Sequence, residues 1–297
     1  MKWKNNLILL LTAIIWGCAF VAQSAGTEHV GPWTFNCLRS FIGGASLLVL
    51  MPVINKVRHV DTKSIQLKPA IIGGIACGIV LASASMFQQC GIMETTTGKA
   101  GFLTALYVIL VPILGLLIGK KTRMVVWIGA LVALVGFYFL SLSGSFSLQR
   151  GDFLLLICAV LFAVHILVID HFNETADGVM MSCIQFFVAG IVCMVGMLIF
   201  EEVKLSAVMD AIVPILYAGC MSSGAGYTLQ IIGQNGADPT VASMILSLES
   251  VFAAIAGFFI LHESLSPREI FGCILIFIAI CIAQYPEKKQ TELVTEK

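Results

Sequence analysis

Apolar runs of about 20 residues, broken by short polar or Pro/Gly stretches, organise the whole chain of 297 residues. They fall near 7–25, 33–54, 69–91, 99–119, 124–142, 152–170, 179–200, 211–233, 240–261 and 268–284. At 1.5 Å of rise per residue, about 20 residues cross a hydrocarbon layer roughly 30 Å thick. The predicted element is the helix, because a lipid-embedded backbone must satisfy its own hydrogen bonds. A closed barrel would need only about ten residues per strand, with alternating polarity. The longest connection, 55–68, leaves no room for a soluble domain.

Composition agrees with the pattern. Hydrophobic residues make up 59% and charged residues 11%, with a mean hydropathy of +0.98, against about 25% charged in soluble domains. The expectation is an all-α integral membrane protein of ten transmembrane helices. Net charge is zero, and nothing points to nucleic acid. The ten cysteines lie mostly singly inside apolar runs, among them Cys158, Cys183 and Cys193, without a C-x-x-C pair. They read as small hydrophobes, and no metal or cofactor is expected. Lys2, Lys4, the run from Leu7 and "VAQSAG" would pass for a signal peptide. That run has a counterpart later in the chain, so it reads as part of the fold.

Lys and Arg set the expected orientation. Alternating crossings put Lys2, Lys4, Lys56, Arg58, Lys63, Lys68, Lys120, Lys121 and Arg123 on one side, against Lys99 and Arg150 on the other. This places both termini, including Lys288 and Lys289, in the cytoplasm of a plasma (inner) membrane.

The chain also repeats. "FNCLRSFIGG" at 35–44 meets "MSCIQFFVAG" at 181–190 at an offset of 146, which also sets Trp16 against Phe162. At 142 Gln88 and Gly91 meet Gln230 and Gly233, and at 143 Thr97 meets Thr240 and Gly129 meets Gly272. The expected domains are 1–146 and 147–297, five helices each. An odd number of crossings makes the halves inverted repeats, an arrangement that puts a transport site near the midplane.

With "AIIWGCAF", "LRSFIGG", "TTTGKAGFLTALYVILVP" and "LSLESVFAAIAGFFILHESLS" in this order, nearly the whole chain resembles the drug/metabolite transporter superfamily, EamA-like branch. The resemblance implies a ten-helix transporter of small metabolites, often an exporter of amino acids or related compounds, with a central cavity between halves. Where that family's ninth helix often reads Leu-Glu-Pro, this chain has Leu248, Glu249 and Ser250, which leaves the position of a kink open.

Glu249 is the sharpest chemical signal. It lies nine residues into its run, ~14 Å deep, where an ionisable group usually marks a pathway, proton relay or counter-ion. It reads either as a carboxylate that exchanges a proton or neutralises a substrate amine, or as a protonated structural tie. His165 suits proton handling or substrate contact, or a satisfied place in the bundle. Gly219, Ser223, Gly226 and Gln230 form a stripe on the eighth run, echoed by Cys77, Leu81, Ala84 and Gln88 on the third. Small residues there read as packing, and Gln88 and Gln230 as helix ties or ligand contacts. Thr104 and Tyr107 precede Pro112, where a kink is expected; both are candidates for substrate contact, Tyr107 as a cavity residue. Trp16, sharing a face with Gln23, stacks on substrate or fills space, and Tyr227 is a weaker candidate of the same kind. Gly115 and Gly119 read as a packing or dimer motif.

Arg39 reads as an interfacial anchor reached by snorkelling, a salt-bridge tie, or a guanidinium binding a substrate carboxylate. Gln185 holds the equivalent place in the second half. There is no H-E-x-x-H and no phosphate loop ("HESLS" at 262–266 is neither), so neither a hydrolase nor an ATP-driven pump is expected. His262 and Glu263 read as interfacial. The function expected is secondary transport of an amino acid or related metabolite, coupled to protons rather than sodium where it is coupled. The alternatives are a drug-, sugar- or nucleoside-like cargo, or a membrane sensor or scaffold. Oligomeric state is left open.

Overall fold

The computed structural model describes residues 2–57, 66–95, 97–141, 149–260 and 266–283. Arg58, Lys63, the 146/147 division, His262, Glu263, Lys288 and Lys289 lie outside them. In chain order the helices are helix 1 (Lys2–Thr27), helix 2 (Pro32–Val57), helix 3 (Leu67–Met93), helix 4 (Thr97–Ala105 and Tyr107–Leu117) and helix 5 (Met124–Ser141). The second half has helix 6 (Arg150–Phe172), helix 7 (Gly178–Phe200), helix 8 (Leu205–Asp210, Ile212–Leu216, Tyr217–Tyr227 and Thr228–Gln234), helix 9 (Pro239–Leu246 and Glu249–Ile260) and helix 10 (Pro267–Ala283). Among the described residues there is no strand. Among the described residues, seven of these helices are long and apolar enough to cross a membrane, and helices 5, 8 and 10 are shorter or subdivided. Large apolar side chains such as Leu48, Val49, Leu198, Phe259 and Phe277 face outward, while Gln23, Gln88, Gln185 and Gln230 are buried. A protein whose solvent is lipid has this distribution.

The halves pack as a pseudo-twofold pair. Helix 3 lies on helices 6 and 7 as helix 8 lies on helices 1 and 2; helix 1 lies on helix 9 as helix 6 lies on helix 4; helices 2 and 7, and 5 and 10, pair with each other. The scheme is unchanged when each helix is exchanged for the one five places away. Individual contacts obey the same exchange. A Cβ on Gly44 would meet the Phe187 ring at 3.2 Å, and one on Gly190 the Phe41 ring at 3.0 Å. Gly91 receives Leu155 as Gly233 receives Leu9, and Gly129 faces the Ala279 carbonyl as Gly136 faces that of Gly272. Small residues at these crossings let backbones approach, which is how helices associate where lipid removes the usual hydrophobic drive.

Three helices depart from regular winding. Helix 4 breaks at Leu106, earlier than the kink expected around Pro112. Leu106 N–H bonds Leu103 and Ile109 N–H bonds Leu106 in tight turns, whereas the Pro112 ring crowds the Val108 carbonyl, beyond the break. Helix 9 breaks at Ser247 and Leu248 without a proline. Ser243 and Ser247 hydroxyls donate to the Thr240 and Met244 carbonyls at 2.7 Å each, a local bonding that competes with the helix ladder. Helix 8 is wound as a π-helix over Tyr217–Tyr227. This wider winding splits the stripe expected on one face: Gly219 packs on Ile42 of helix 2, and Gly226 on Trp16 of helix 1.

The Gly115/Gly119 pair is no helix contact in the fold. Gly119 takes φ +80°, and Lys120 N–H bonds the Gly115 carbonyl at 2.9 Å while Gly119 N–H bonds Leu116 at 3.0 Å. This is a Schellman cap that ends helix 4, and it needs glycine for the left-handed turn.

Candidate functional site

A cavity lies between the two halves of the bundle, and much of its wall comes in repeat-related pairs. Trp16 and Phe162, Phe20 and Ile166, Gln88 and Gln230, and Tyr107 and Glu249 all line it. The first two pairs are 146 apart and the last two 142 apart. Ala19, Gln23, Arg39, Ser222 and Tyr227 complete the lining. The cavity measures about 20 Å³, room for about one water.

The two helix breaks build one wall. Tyr107 is the first residue after the break in helix 4, and Glu249 the first after the break in helix 9. Restarting a helix re-aims its first side chain, and the start of a helical segment is a favourable setting for an acid. Both residues are buried, and the Tyr107 hydroxyl donates to Glu249 Oε1 at 3.0 Å.

The π-wound part of helix 8 builds another wall. Trp16 Nε1–H donates to the Ser222 carbonyl at 3.3 Å, and the Trp16 ring lies 4.5 Å from that of Tyr227. Arg39 comes from helix 2. It is 3% exposed, and its guanidinium donates to Gln23 Oε1 at 3.1 Å and Ser85 Oγ at 2.9 Å. The side chain therefore turns inward to the cavity rather than out to the membrane edge. Among the described residues no carboxylate pairs with it.

Of the residues singled out from sequence, Trp16, Arg39, Gln88, Tyr107, Tyr227, Gln230 and Glu249 meet at this cavity. His165 and Gln185 do not line it. They bond each other, His165 Nε2 to Gln185 Oε1 at 3.1 Å, behind the Tyr227 ring. Thr104 is buried away from the lining. Sequence reasoning missed Ala19, Phe20, Phe162, Ile166 and Ser222 as lining. The Trp16/Phe162 match was the available signal for Phe162, and one turn onward it leads to Phe20 and Ile166. Ser222 depends on the π winding and had no sequence signal.

Polar ties join helix ends on both faces of the bundle. On the face where helices 2 and 6 begin, Glu201 at the end of helix 7 accepts Trp33 N–H and Thr34 N–H at 2.8 Å each and the Thr34 hydroxyl at 2.6 Å. Lys99 pairs with Asp152 at 2.7 Å on the same face. On the face where helix 1 begins, Lys120 pairs with Asp170 beside a recess of about 410 Å³, lined also by Asn173, Asn235 and Asp238. About one helical turn separates recess from cavity, from Ile166 to Asp170 on helix 6. The Gln234 amide closes that seam by donating to the Ile166 carbonyl at 3.3 Å.

The model of the EamA-like transporter family matches residues 3–142 and again 149–284. An uncharacterized transporter of Archaeoglobus fulgidus is 32% identical over 93% of this chain and 84% of its own. The uncharacterized transporter YoaV of Bacillus subtilis is 23% identical, covering 93% and 95%. A chloroplastic WAT1-related protein of Arabidopsis thaliana is 22% identical, covering 97% and 70%. A crystal structure 19% identical in sequence superposes with a TM-score of 0.78 over 96% of this chain and 97% of that one, which shows the fold.

Proposed function

The chain belongs to the EamA-like transporter family, and from that premise we propose that it carries a small polar or amphipathic metabolite, an amino acid or a related compound, by alternating access. The observation that carries this reading is the cavity lined by four repeat-related pairs. A site between the two halves sees the same set of helices whichever half rocks, so one constellation serves both faces. The small volume, about 20 Å³, and the ties at both ends support reading this form as occluded. A metabolite enters when one set of ties opens.

The face where helix 1 begins is the cytoplasmic face of a plasma membrane, by its excess of Lys and Arg. The larger recess there suits loading from inside and export. Glu249, the acid among the lining residues, is the proton-exchanging group, with Tyr107 holding it in place. The aromatic wall of Trp16, Phe20, Phe162 and Tyr227 favours, as a second reading, a flat drug- or nucleoside-like cargo. A membrane scaffold has no use for such a cavity. The test is reconstitution in proteoliposomes loaded with a metabolite panel. Countertransport of one amino acid or close relative is the expected outcome, and none across the panel with folded protein refutes the reading.

A further inference from the structure

Arg39 poses a question that the fold alone does not answer. A guanidinium carries five N–H donors and stays charged. Here two neutral acceptors, Gln23 Oε1 and Ser85 Oγ, take one contact each, and among the described residues no carboxylate lies within ion-pair distance. Glu249, the acid of the same cavity, is engaged by Tyr107 instead. A buried charge without a counter-charge is costly, and more so inside a membrane.

The repeat shows that packing does not demand this charge. Gln185 fills the equivalent place in the other half with a neutral amide, fully buried and bonded within the protein to His165. The fold therefore accepts an uncharged side chain there, and has a cation only in the copy that lines the cavity.

We infer that Arg39 docks a carboxylate of the transported compound, with Gln23 and Ser85 as positioning residues that leave its remaining N–H groups for the cavity. A carboxylate accepts two parallel N–H bonds from one guanidinium, so the contact supplies orientation as well as the missing counter-charge. This rests on the transport reading of the cavity and narrows it to anionic or zwitterionic cargo. An uncharged sugar or a simple amine would leave Arg39 unpaired.

The experiment pairs each acid with its uncharged twin. Thermal unfolding of the purified full-length protein is followed with the common L-amino acids and their 2-oxo acid analogues, each beside its carboxamide. At least one acid is expected to raise the Tm, as any ligand selective for the folded state does, and its amide is not. Arg39→Gln, which copies Gln185, is expected to weaken that acid at least about tenfold, and Arg39→Lys to recover part of the loss. The inference is overturned by amides that stabilise as well as their acids, by an unchanged affinity in Arg39→Gln, or by a wild type that no acid stabilises. The acid-against-amide comparison needs no variant, so a poorly folding Arg39→Gln does not blunt it. Countertransport of neutral or amine compounds alone sinks the carboxylate dock and leaves transport standing, whereas acid binding without any flux sinks transport and leaves the dock.

Discussion

Replacing Glu249 by Gln separates the chemistry of this carboxyl from its shape. The glutamine Oε1 can still accept the Tyr107 hydroxyl, which now lies 3.0 Å from Glu249 Oε1. A hydrogen bond of this kind contributes about 1 kcal/mol net, so keeping it predicts a change in stability below about 1 kcal/mol. Glu249→Ala is different. It strands a phenol that is 2% exposed, and an unsatisfied buried donor costs about 1–3 kcal/mol before the lost packing is counted. Function divides the pair the other way, because Gln cannot release a proton. A one-unit pH gradient is worth about 1.4 kcal/mol per proton, and drives about tenfold accumulation in a one-to-one exchanger. The assay is flux of the identified cargo in proteoliposomes, with and without that gradient. Wild type is expected to accumulate cargo with the gradient; Glu249→Gln is expected to exchange cargo down its own gradient and to ignore pH. Gradient-driven accumulation that survives in Glu249→Gln refutes the proton role, and equal loss of stability in Gln and Ala variants refutes the hydrogen-bond reasoning.

Other expectations concern packing and the ties on the two faces. A Cβ on Gly17 would sit 2.4 Å from Phe252 Cβ and 2.7 Å from its carbonyl carbon, so Gly17→Ala must push helices 1 and 9 apart. Overpacking of this kind costs about 1–3 kcal/mol and is checked by a lowered Tm in detergent. Glu201→Gln weakens charge-assisted bonds to Trp33 and Thr34, each worth about 1.5–3 kcal/mol. Thiol reagents applied on that face are expected to reach a cysteine at Ser222 at least about fivefold faster. Lys120→Ala breaks the pair with Asp170, and the same cysteine should become more reactive from the opposite face, by a smaller factor because exposed pairs contribute about 0–1 kcal/mol.

The repeat was legible because it is written in residues that touch. Phe41, Gly44, Phe187 and Gly190 pack on one another across the halves, so the spacing in "FNCLRSFIGG" and "MSCIQFFVAG" reports a contact. Glu249, Trp16 and the two glutamines stood out because polar or bulky groups are rare in long apolar runs. The helix breaks were harder to read. Pro112 announced one in helix 4 but not its place at Leu106, and in helix 9 serine hydroxyls bonded to the backbone do the work of the absent proline. The π winding of helix 8 was invisible, since a stripe counted at helical spacing presumes regular turns, and Gly219 and Gly226 ended on different neighbours. Arg39 and Gln185 matched as sequence, yet their surroundings differ: one faces the cavity, the other is spent on His165.

The central claim is that one cavity between the two halves opens to each face in turn. Ser222→Cys, in a chain otherwise freed of cysteine, places a thiol at that cavity, and impermeant maleimides applied to oriented vesicles report its exposure from each side. The account predicts labelling from either face, with Glu201→Gln and Lys120→Ala shifting the balance in opposite directions and the transported compound protecting from both. Labelling from one face only, unmoved by either variant, would contradict it.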